Sequence, residues 1–70
     1  MYDLIVYDAD VDDVEDFIED YFIMPNEIFD RIRGIELGDL GDVIVTLDDF
    51  STLEDLMFGL RSEGFEADEL

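Results

Sequence analysis

Residues 10–23 leave this chain the least freedom in choosing a fold. Val11, Val14, Phe17, Ile18, Tyr21 and Phe22 recur at helical spacing, and Asp12, Asp13, Glu15, Asp16, Glu19 and Asp20 fill the remaining positions. At about 100° per residue the apolar set gathers into an arc of about 140°, which predicts an amphipathic helix with one face on a core and the other in water. Asp10 is placed to cap its first turn, and the acids that follow suit the positive end of the helix dipole.

The other elements are arranged around that helix. Residues 2–7, rich in β-branched and aromatic side chains with Asp3 as the one charge, read as a strand. Pro25 is expected to stop the helix. Residues 26–33 admit two readings: a short helix using Ile28, Phe29 and Ile32, capped by Asn26 and ended by Gly34, or a strand. The helix is preferred, because Glu27 and Arg31 make a favourable i,i+4 pair. Residues 34–37 and 42–47 form a hairpin turned by Gly38-Asp39-Leu40-Gly41-Asp42, and Val43–Leu47 is the strongest strand signal in the chain. Ser51-Thr52-Leu53-Glu54 has capping-box spacing and opens a second helix through Leu53, Leu56, Met57 and Leu60 to about Arg61, with Gly64 beyond it. Phe65-Glu66-Ala67 is a candidate edge strand.

This order is similar to a split βαβ or ferredoxin-like unit. The expected fold class is α+β: a three- or four-stranded antiparallel sheet, two main helices on one face and a short extra helix. Seventy residues suit one acidic domain, which buries only about 60% of its chain's surface and is therefore marginal. The predicted core takes in Tyr2, Tyr7, Tyr21 and the phenylalanines, the largest apolar residues available.

Composition then excludes most chemistry. The chain has no Cys, His or Lys, so it offers no thiolate or imidazole metal site, no disulfide, no Ser-His pair and no Schiff base. Three arginines among twenty-two carboxylates do not make a nucleic-acid-binding surface. Paired carboxylates alone leave room for acid–base or Mg²⁺ chemistry, but these acids fall on solvated faces of a chain with little space for a cleft. The reading is a non-enzyme without cofactor or metal. No basic leader and no apolar run near the roughly 20 residues that span a bilayer are visible, and a surface this negative is repelled by anionic lipid. A cytoplasmic location is expected.

What remains to explain is a net charge of −19. Asp12/Asp16, Glu15/Glu19 and Asp16/Asp20 set like charges at i,i+4, each destabilising a helix by roughly 0.2–0.5 kcal/mol. A single Lys in each pair would reverse the sign. A solvated surface serving solubility needs a net charge of only about 2–8. Adaptation to a high-salt cytoplasm is a second explanation, although such chains are expected to carry more Ala and Thr and less Ile and Phe. A third is a calcium loop, since Asp8, Asp10, Asp12 and Glu19 match EF-hand positions, but Asp13 stands where that loop needs Gly. The fourth is imitation of DNA. At one charge per about 1.7 Å of duplex, nineteen charges correspond to about 32 Å, close to the roughly 30 Å diameter of a fold this size.

In length, acidity, missing Lys, His and Cys, and compact α/β pattern, the chain resembles the small acidic inhibitors that phages use against bacterial immunity, chiefly DNA-mimicking anti-CRISPR proteins and secondarily anti-restriction proteins. The resemblance carries no motif. It implies a protein of the host cytoplasm that sits on the DNA- or PAM-recognising surface of a basic nucleic-acid-binding complex, with type I Cascade favoured. That protein would exclude DNA without chemistry, and would bind neither nucleic acid nor membrane. The salt-adapted protein, or an acidic interaction module without mimicry, stays as the alternative. A homodimer, salt, a cation or a partner is expected to offset the self-repulsion.

The expected contacts come from the helical wheel and the loops. They are Asp12, Asp13, Asp16, Glu19 and Asp20 on the first helix, then Asp39 and Asp42 in the hairpin turn with Asp48 and Asp49 before the second helix. Asp10 and Glu54 are read as caps, and Arg31 and Arg33 as partners for Glu27, Asp30 or Glu36.

Overall fold

The computed structural model describes all seventy residues, Met1–Leu70. In chain order the elements are β1 (Tyr2–Tyr7), α1 (Val11–Tyr21), α2 (Pro25–Arg31), β2 (Ile32–Leu37), β3 (Val43–Leu47), α3 (Phe50–Ser62) and β4 (Glu66–Glu69). The four strands form one antiparallel sheet in the order β2-β3-β1-β4. β3 thus lies between β1 and β2, and β1 lies between β3 and β4, so two split βαβ units interleave in the ferredoxin-like plan.

Alternation within the strands decides the faces. Val43, Val45 and Leu47 of β3 are fully buried, and Ile44 and Thr46 between them are half-covered. Leu4 and Val6 of β1 lie opposite Val45 and Val43 and share their face. Val14, Phe17 and Ile18 from α1 and Leu53, Leu56 and Leu60 from α3 close over that face to complete one core. The opposite face carries Ile44 beside Ile5, with Thr46 donating its hydroxyl hydrogen to Asp3 at 2.8 Å.

The core is aliphatic, which corrects the aromatic core expected from composition. Phe17 is the one buried ring, whereas Phe22, Phe29 and Phe65 are half-buried. Tyr2, Tyr7, Tyr21, Phe50 and Phe58 are exposed. The layer between sheet and helices is filled by leucine, isoleucine and valine with almost no exposure, and the wide rings are left at its margins.

Several boundaries also move. α1 ends at Tyr21 and Phe22 is already extended, so the helix stops ahead of Pro25. Proline disfavours helical geometry in the residue before it, and its own fixed φ suits the first position of the next helix. Pro25 therefore opens α2, in place of the Asn26 cap, and Met24 precedes it without a side-chain cap. Residues 26–33 satisfy both readings in turn: helix to Arg31, strand from Ile32, two residues before Gly34. A bulge interrupts β2 between Ile32 and Gly34.

The second helix starts at Phe50, not after Ser51. Asp49 is its cap and accepts from the Thr52 amide at 3.3 Å and the Thr52 hydroxyl at 2.6 Å. Ser51 and Glu54 consequently fall inside α3, and the capping box expected there does not form. Starting early lets Phe50 meet Tyr2, ring centroids 5.3 Å apart. At the other end Gly64, with φ +93°, closes the helix: its amide donates to the Arg61 carbonyl and the Phe65 amide to the Leu60 carbonyl.

Candidate anionic docking surface

α1 owes its start to two aspartates that cap each other. Asp10 accepts from the Asp13 amide at 2.9 Å, and the Asp13 carboxylate accepts from the Asp10 amide at 3.3 Å. The expected cap at Asp10 is present, and Asp13 supplies the reciprocal half that Glu or Gln ordinarily provides. Because the helix begins at Val11, residues 8–19 do not form a calcium loop, and no three carboxylates of the chain converge in a way that could hold a metal ion.

The five acids expected on the first helix are all exposed, and α1 divides them into rows. Asp13, Asp16 and Asp20 recur at i, i+3, i+7 and border a groove of about 390 Å³. Asp12 and Glu19 lie along the other flank, with Glu15 between them in sequence. The groove's remaining lining is Phe17 and Tyr21 from α1 with Glu63 and Phe65 from the end of α3. Phe17 and Tyr21 stack with centroids 4.9 Å apart, and Phe65 meets Phe17 edge-on at 6.1 Å. Sequence reasoning missed Tyr21, Glu63 and Phe65 as site residues. The available signal was Gly64: a glycine that closes a helix carries the residue after it back toward that helix's last turn.

The four loop acids do not form a second cluster. Asp39 and Asp42 sit in the β2–β3 turn, which a hydrogen bond from the Ala9 amide to the Gly41 carbonyl ties to the start of α1. Asp42 is folded back onto its own turn, where its side chain occupies the space a Cβ at residue 38 would need. Asp48 and Asp49 follow β3 and face arginines. Arg33 pairs with Asp48, and Arg31 reaches Asp49 at 3.2 Å. These are the partners of the two arginines, in place of Glu27, Asp30 or Glu36. The Thr52 hydroxyl, seconded by its amide and by Arg31, holds the Asp49 carboxyl below the usual aspartate range against a smaller opposing cost of desolvation.

Arg61, the last cation, donates to the Ala67 carbonyl at 2.9 Å and to the Asp68 carboxylate at 2.8 Å, fastening β4 to α3. All three arginines are therefore committed away from α1. The whole molecule exposes 4366 Å² and measures 30 × 24 × 17 Å along its principal axes.

Comparison with family models, with curated proteins and with solved structures yields no match. No helix is long and apolar enough to cross a membrane.

Proposed function

We propose that this protein is a non-catalytic inhibitor that imitates the charge of DNA and occupies the DNA- or PAM-binding surface of a basic nucleic-acid-binding complex, a type I Cascade before others. The observation that carries the reading is the separation of charge. Every arginine is spent fastening an edge or a turn, and the exposed acids of α1 have no cation opposite them. A long axis of 30 Å holding nineteen net charges matches the roughly 32 Å of duplex that carries the same number. A cleft built to neutralise phosphates would attract such a body at long range, fast and with strong salt dependence. The acting compartment is then the cytoplasm that holds the complex.

The test is displacement of a labelled target duplex from purified type I Cascade, read by electrophoretic mobility. The protein in molar excess should release the DNA, less so as salt rises. A variant with Asp12, Asp16, Glu19 and Asp20 all changed to Lys should not; it spares Asp13, whose loss would also open the cap. If the parent leaves DNA bound to Cascade and to restriction endonucleases alike, the reading is wrong.

A further inference from the structure

The groove beside α1 is more specific than a charged surface has to be. Carboxylates alone suffice to imitate phosphate, and aromatic rings left half in water among them add nothing to that task. Tyr21 is nonetheless 45% exposed, stacked on Phe17 at an interplanar angle of 23°. Both rings are seated on bare helix backbone. A Cβ at Gly59 of α3 would lie 2.9 Å from Tyr21 Cε2 and 3.0 Å from Phe17 Cζ, so a larger residue there would push the rings away. The glycine sits inside α3 at a cost to helix propensity of about the size usual for Gly against Ala, and what it allows is this close approach. A hollow of about 390 Å³ results, within the range of small-ligand sites, with aromatic faces inside and carboxylates around it.

We propose that the groove receives an arginine side chain of a basic protein partner, its guanidinium against Tyr21 and its N–H groups donating to Asp16, Asp20 or Glu63. Charge complementarity identifies the occupant as a cation. The rings identify the kind: a guanidinium is planar, weakly hydrated and able to stack while its edge donates in a fork, whereas a lysine ammonium is a strongly hydrated point charge. The inference rests on the reading that the partner is basic, and adds a demand that charge by itself does not make.

Two capped peptides of equal charge and spacing, one bearing arginines and the other lysines, are titrated into the isotopically labelled full chain and followed by NMR. The arginine peptide should shift the ring signals of Phe17, Tyr21 and Phe65 and bind about fivefold or more tightly than the lysine peptide. Tyr21→Leu should remove the preference and leave a weaker association, equal for both peptides. Equal affinity without ring shifts in the parent overturns the proposal, as does an undiminished preference in Tyr21→Leu; the parent titration decides alone if that variant does not fold. Charge-only binding alongside intact DNA displacement would remove the arginine site and keep the mimic. Arginine preference without displacement from any effector would do the reverse.

Discussion

α1 and α3 lie side by side on one face of the same sheet, yet they spend their residues differently. α3 buries Thr52, Leu53, Leu56, Gly59 and Leu60 and holds Arg61 in its last turn, where a cation suits the dipole. α1 buries Val14, Phe17 and Ile18, has no basic residue in its last turn, and carries like charges one turn apart along its outer surface. One helix is built to hold the fold together and the other to be charged. Opposite charges appear where the chain has a fastening to make, at the β3–α3 turn and along β4, and nowhere along α1.

The largest effect should come from α3. Leu56 has no exposed surface and packs in the single core, so Leu56→Ala should cost about 2–5 kcal/mol. A domain of this size has little more than that in total. Circular dichroism at 25 °C should show the variant largely unfolded in low salt. A cooperative transition close to the parent's would mean that α3 does not carry the core and that the contrast between the helices is misplaced.

α1 should respond in the opposite direction. Asp16→Lys converts the Asp12/Asp16 and Asp16/Asp20 repulsions into attractions, which should raise stability by about 1 kcal/mol over the two pairs, measured as a higher urea midpoint. The same change should weaken binding to a basic partner. Stability and function would then part at one residue, as expected where a local rule is broken for a purpose. Adding KCl should raise the parent's melting temperature more than the variant's, because salt screens a repulsion the variant has partly lost. If Asp16→Lys is destabilising, the acids of α1 are not a burden the fold carries.

The same contrast explains what the sequence could and could not disclose. The wheel of α1, the alternation of β3 and the glycine stop at Gly64 are local patterns, each decided within a few residues, and each is found where expected. The arginine partners are not local. Arg33 and Asp48 lie fifteen residues apart and Arg31 and Asp49 eighteen, brought together by the β2–β3 register, so reasoning from neighbours one turn away chose Glu27 for Arg31. The cap of α3 failed for a related reason. Asp49 and Ser51 both favour that role, and the packing of Phe50 against Tyr2 of β1 accompanies the earlier start. The groove needed two elements at once, because its Glu63 and Phe65 belong to neither turn of the α1 wheel.

Asp49 sharpens the comparison with the smallest effect, since it is an acid paired with a cation, unlike those of α1. Its carboxyl is held below the ordinary aspartate value of 3.8, chiefly by the Thr52 hydroxyl. A lowered folded-state value means that the charge contributes stability in full above about pH 4, and that this contribution drains away as pH falls through the lowered value. Asp49→Asn keeps a capping oxygen but has no charge to lose. The parent should therefore exceed the variant in urea midpoint at pH 7 by a small margin, and that margin should shrink toward pH 3. The margin between the two proteins is the quantity to follow and not either midpoint alone, because every other carboxylate is common to both. A margin that stays constant across this interval would show that Asp49 caps α3 through its shape and not its charge, and would leave the Arg33–Asp48 and Arg61–Asp68 pairs as the places where a carboxylate is set against a cation.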